Sequence, residues 1–174
     1  MPSSTLIHFR AYATNSAGTT YSADTTFTTT TPASPPTVNT PTFASVTDTT
    51  ATLGGNVASD GGATITARGT VWGLAANPDI IAQAVNVNTV AGTTGIFSGP
   101  VTNLPPGTLI HYRAYATNSV GTSYSLDDSF ITLVAVPTVD SPTFTSVSDT
   151  SANLGGTVSN DGGATVTDRG TVWG

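Results

Sequence analysis

Residues 109–132 read LIHYRAYATNSVGTSYSLDDSFIT and residues 6–29 read LIHFRAYATNSAGTTYSADTTFTT, with 17 of 24 positions identical. Within the later copy, Ile110, Tyr112, Ala114 and Ala116 alternate with His111, Arg113, Tyr115 and Thr117. That period of two predicts a strand with the first set facing a core and the second facing solvent. Asn118-Ser119-Val120-Gly121 then supplies a turn, and Thr122–Ile131 a returning strand. A second stretch repeats in the same way: PTFASVTDTTATLGGNVASDGGATITARGTVWG (41–73) recurs at 142–174 with 24 of 33 positions identical.

Self-similarity at a fixed period is the mark of a repeat protein. The offsets are 103 and 101, and the difference falls where TTTTPASPP (28–36) becomes ITLVAVP (131–137). Length changes of that kind mark a linker. The expected organisation is therefore the back end of one repeat at 1–31, a complete repeat at 36–132, and the front of a third at 137–174. Inside the complete unit, strands are expected near 41–47, 50–57, 64–72, 80–90, 95–103, 109–117 and 122–131. The breaks between them are Ser59-Asp60-Gly61-Gly62, Asn77-Pro78-Asp79, Ala91-Gly92, Pro105-Pro106-Gly107 and Asn118–Gly121. Short alternating strands at this spacing predict an all-β sandwich.

Composition agrees. Among 174 residues there are 36 Thr and 17 Ser, but no Lys, Glu or Cys. Helix formers are scarce and strand formers abundant. A net charge of −6 and a pI near 4.2 argue against nucleic acid or an anionic membrane surface as partner. Without Cys there is no disulfide, thiolate zinc site or cysteine nucleophile. Without Lys there is no Schiff base. No apolar run approaches the length of a membrane span, and the N-terminus carries no signal-peptide pattern.

The runs LPPGTLIHYRAYATNSVGTSYS (104–125) and LGGNVASDGGATITARGTVWG (53–73) resemble paired strands of fibronectin type III-like domains. More narrowly they resemble the Thr- and Gly-rich tandem repeats of large bacterial surface and secreted proteins. The resemblance implies an Ig-like sandwich, an extracellular or cell-surface location, and a spacer, adhesin or fibre role without enzymatic activity. It also implies that the third and sixth strands of the sandwich are neighbours. One departure is Ile110 (and Ile7) where the family usually has Tyr, so the corner hydroxyl bond is missing.

Candidate sites are few. His8 and His111 sit two residues before Arg10 and Arg113 on the solvent side, with no carboxylate at a fixed local spacing. A pair copied into both repeats fits surface patterning better than catalysis. Asp60-Gly61-Gly62 and Asp161-Gly162-Gly163, or Asp127 with Asp128, could offer oxygens to Ca²⁺, but one Asp per loop is too few for six to eight ligands. Turn formation is the competing role. Trp72, Tyr12 and Tyr115 could stack on a sugar ring, against the alternative of sandwich packing. No Asn-x-Ser/Thr sequon occurs.

Three readings stay open: a structural repeat, an adhesive or carbohydrate-binding module, and an accessory segment of a secreted hydrolase. The structural reading carries a further expectation. The end segments are incomplete sandwiches, and Leu6, Ile7, Phe9, Ala11, Tyr21 and Phe27 would pair with Val166, Val172 and Trp173 of another copy of the chain, giving a filament.

Overall fold

The structure, a computed structural model, describes residues 1–81 and 86–174. Every regular element in it is a β-strand. The central sandwich has two sheets. One is β5 (Thr37–Ala44), β6 (Ala51–Ser59) and β9 (Gly95–Val101), in that order. The other runs β11 (Thr122–Tyr124), β10 (Leu109–Thr117), β7 (Ala67–Gly73), β8 (Asn86–Thr89), with β12 (Asp128–Ile131) also on β10. All pairings are antiparallel.

Period-two patterning places the core. Ile110, Tyr112, Ala114 and Ala116 are all fully buried between the sheets, as the alternation on β10 predicts. One cluster packs Leu53, Trp72, Leu104, Ile110, Tyr112 and Phe130; a second packs Val38, Val57, Ile65, Phe97, Ala114 and Ala116. The second cluster is thin because Gly55 faces Ala114: a Cβ on Gly55 would lie 2.3 Å from the Ala114 Cβ, so the sheets approach closely there.

Three strand expectations need correction. The first strand begins at Thr37, not near 41, and carries an irregularity between Asn39 and Thr42. The returning strand expected over 122–131 is broken at Ser125–Asp127 into β11 and β12. There the buried Ser125 hydroxyl accepts from the Ala114 amide and donates to the Leu126 carbonyl, taking over backbone roles that a continuous ladder would fill. Of the strand expected over 80–90, residues 82–85 lie outside the described residues, and Asn86–Thr89 is the described strand.

The solvent face of β10 is also not what alternation predicts. Tyr115 is only 3% exposed. The connection from Leu74 to Ile81 lies over this side of the sheet: the Asn77 amide donates to Asp127 Oδ1, the Ile80 amide donates to the Tyr124 hydroxyl, and Pro78 is fully buried. Tyr115 packs beside Tyr124 with ring centroids 6.5 Å apart.

At the N-terminal side, β1 (Leu6–Phe9) pairs with β4 (Thr25–Thr28), and β2 (Tyr12–Asn15) with β3 (Gly18–Tyr21). At the C-terminal side, β13 (Thr138–Thr145) pairs with β14 (Asn153–Asn160) in the register of β5 with β6. Residues 164–174 form no strand.

Candidate functional site

The two histidines have partners that local spacing did not reveal. His111 Nδ1 lies 2.7 Å from Asp127 Oδ2, and His8 Nδ1 lies 2.7 Å from Asp24 Oδ2. Each carboxylate comes from the break in the returning side of the same hairpin, 16 residues on. The signal was present: His and Asp recur together in both copies, at 8 and 24 and at 111 and 127. The His111 pair is mostly buried and Asp127 also holds the Asn77 amide, whereas the His8 pair is open to solvent.

The arginines do not complete an anion clamp. Arg113 Nε donates to the Ser125 carbonyl, and its guanidinium lies 4.6 Å from the Tyr124 ring centre. Arg10 does the same with Ser22 and Tyr21. Ser129 stands across the ladder from His111, but the contact a nucleophile needs with its base is not made between them. These groups tie the sheet edge together.

The acidic turns behave as turns. Asp60 Oδ1 accepts from the Gly62 amide and Asp161 Oδ1 from the Gly163 amide. Asp128 turns away from Asp127: its Oδ2 accepts the Tyr112 hydroxyl at 2.8 Å and its Oδ1 the Ser129 amide. Burial, and then the Asp128 carboxylate, push the Tyr112 phenol well above the ordinary tyrosine range. Among the described residues no three His, Cys, Asp or Glu cluster as metal ligands.

Of the three rings considered for a sugar face, two are covered. Trp72 is 6% exposed and packs in the core, and Tyr115, 3% exposed, is covered beside Tyr124. The expectation of a ring face at those two positions is therefore corrected; only Tyr12, 72% exposed, is open.

Both ends of the chain carry exposed apolar side chains. Leu6, Phe9, Tyr21 and Phe27 are exposed on one side of the chain, and Val172 and Trp173 on the other, with Ile7 and Val166 half-buried and Ala11 exposed. Phe9 and Phe27 keep the edge-to-face contact of their counterparts Tyr112 and Phe130: both pairs have centroids 5.8 Å apart.

The pairing of β7 with β10 is the adjacency of third and sixth strands that the resemblance implies. The fold is a fibronectin type III-like β-sandwich. The chain is similar to the solved FN1-FN3 domains of chicken CNTN1, at 21% identity over 76% of this chain and 44% of that one, with a TM-score of 0.46. It is also similar to the sensor domain of the anti-sigma factor RsgI4 in Pseudobacteroides cellulosolvens (18%, covering 57% and 96%, TM-score 0.42) and to a run of domains from titin (21%, 72% and 40%, 0.44). No protein-family model matches the chain, and none of the curated proteins does.

Proposed function

We propose that this chain is a structural repeat module of an extracellular fibre or surface stalk, in which copies join head to tail by strand complementation. The observation that carries this reading is one core found in two conditions. In the central sandwich β7 pairs with β10 over seven residues, from Ala67↔Thr117 to Gly73↔His111. The counterpart of β7 is 168–174 and the counterpart of β10 is 6–14; neither has that neighbour.

The side chains tell the same story. Trp72 is buried while Trp173 is 87% exposed. Phe43 stacks on Phe130 at 5.2 Å and meets Tyr112 at 6.2 Å, while its counterpart Phe144 is 72% exposed. The counterparts of those two partners are Phe27 and Phe9, exposed at the other end. An open trough of about 450 Å³ lined by Val139, Leu154, Val158 and Val166 lies where Ala11 and Ala13 of a second copy would fit. Each large apolar side chain removed from water there contributes ~1.5–3 kcal/mol.

A buried amide supports the same joint. Asn118 makes four bonds: Oδ1 accepts from Val120 and Gly121, and Nδ2 donates to the carbonyls of Ser34 and Asp60. Its counterpart Asn15 keeps the turn bond to Ala17. The carbonyls matching Ser34 and Asp60 are Ala135 and Asp161, at the other end of the chain. Because the two surfaces differ, the contact does not close on itself and extends as a filament.

Light scattering on the 174-residue chain, with and without residues 1–31, tests this. Assembly of the full chain and monomers after the deletion are the expected results. A full chain that stays monomeric, or filaments that survive the deletion, would refute it.

A further inference from the structure

The two junctions between repeats are built differently. Both use the same turn. The Ser34 amide donates to the Gly61 carbonyl, and the Ala135 amide to the Gly162 carbonyl. Gly61 and Gly162 share a φ of 72°, and a Cβ on either would lie 2.1 Å from the carbonyl oxygen of Ser34 or Ala135. The Asp-Gly-Gly turn thus clasps the incoming linker in both repeats.

Beyond that clasp they diverge. At the second junction the Gly107 amide also donates to the Leu133 carbonyl, at 3.0 Å. The Pro106-Gly107 turn then meets the next repeat directly. A Cβ on Gly107 would lie 2.4 Å from the Gly163 oxygen, and one on Gly163 2.4 Å from the Pro106 oxygen. Backbones this close leave no room for a side chain. At the first junction the counterpart of Gly163 is Gly62, whose Cβ would meet nothing nearer than the Ala33 Cα at 4.0 Å. The counterparts of Pro106 and Gly107 there are Ser3 and Ser4, and the linker is two residues longer, TTTTPASPP against ITLVAVP.

We infer that the Pro106-Gly107 turn is a docking surface for the Asp-Gly-Gly turn of the following repeat, fixing that junction while the first swivels. The features that decide it are readable in any repeat: Gly at the second turn position and a short linker make a rigid joint. A Ser and two extra residues make a free one. An array can then set its bends by linker sequence alone, with no change in the sandwiches. The inference does not depend on how chains join one another.

The chain has no Cys, so spin labels can be placed one by one. Ala17→Cys with Ile96→Cys spans the first junction, and Ile96→Cys with Asp149→Cys the second; all three positions are exposed. Labelled chain is diluted into unlabelled chain so that only distances within one molecule are read. The second pair is expected to give a single narrow distance distribution and the first a broad one. Gly107→Ser should widen the second to the breadth of the first. Its backbone is safe, because Ser4 holds φ 51° where Gly107 holds 57°. Gly163→Ala should do the same, while Gly62→Ala, at φ 81° against 80°, puts the same strain in the same turn without the contact and should change neither distribution. Equal breadths in the unmodified chain, or a second distribution that stays narrow in Gly107→Ser, would overturn the inference.

Discussion

Tyr115→Ala tests how the outer face of the sandwich is held. By alternation along β10 this side chain faces solvent, and an exposed tyrosine loses under about 1 kcal/mol on truncation. In the structure it is 3% exposed, beside Tyr124, whose hydroxyl takes the Ile80 amide at 3.1 Å and whose ring carries Arg113 at 4.6 Å. Truncating a buried aromatic costs about 3–5 kcal/mol, a fifth or more of the roughly 5–15 kcal/mol that keeps a domain folded. About 0.5–1.5 kcal/mol of that belongs to the aromatic pair. The Tyr115 hydroxyl contributes little, since its contact with Thr89 Oγ1 is long at 3.4 Å. Tyr115→Phe should therefore lose under about 1 kcal/mol. Tyr12→Ala, at the matching and open position, should lose under about 0.5 kcal/mol. Guanidinium denaturation followed by tryptophan fluorescence, in a Trp173→Phe background so that Trp72 reports alone, measures all three. A loss under about 1 kcal/mol for Tyr115→Ala would mean that Tyr115 is not buried on that face.

Two further outcomes can be read on the same chain. Among the described residues Thr70 Oγ1 and Asn88 Nδ2 are buried without a hydrogen-bond partner, so Thr70→Val should not destabilise the sandwich and should gain up to about 1–2 kcal/mol, seen as a higher denaturation midpoint. Tyr112 has its phenol pushed up by burial and by Asp128, so folding favours the neutral form. Its contribution is complete below the ordinary phenol range near ~10 and is lost as pH rises above it, because the unfolded chain ionises first. Stability should fall steeply in that alkaline window, and less so in Tyr112→Phe.

Much of this was legible in the residues. The repeat, the all-β class, the inward set on β10 and the adjacency of β7 and β10 follow from period, turn chemistry and resemblance. What escaped reading lies where a segment acts at a distance. Leu74–Ile81 (LAANPDII) carries no alternation, so nothing in it announces that it bonds to Asp127 and Tyr124 on the outer side of the sheet. The His111–Asp127 pair crosses a hairpin, so it is invisible to any search for neighbours in sequence. The break between β11 and β12 rests on one hydroxyl, Ser125, among 53 Ser and Thr residues that otherwise read as surface. Abundant hydroxyls hide the few that do a backbone's work.

The two copies of the hairpin show what sequence leaves to context. Residues 6–29 and 109–132 share 17 of 24 positions, yet only the second forms one unbroken strand, Leu109–Thr117. The first is divided at Arg10 and Ala11 into β1 and β2, each paired only within the hairpin. The returning side is divided in both copies, at Ser22–Asp24 and at Ser125–Asp127. So the returning side interrupts its ladder in either case, and what keeps β10 in one ladder across Arg113 and Ala114 is β7, paired with it from His111 to Thr117. Burial follows the same rule: Phe9 and Phe27 hold the geometry of Tyr112 and Phe130 but stay exposed, because the opposing sheet is missing. Local sequence sets the hairpin and its aromatic pair; the facing sheet and β7 decide whether that pair becomes a core. A segment that keeps its geometry before its neighbours arrive has little left to order when a strand like β7 docks, and strand exchange between copies requires a surface of that kind.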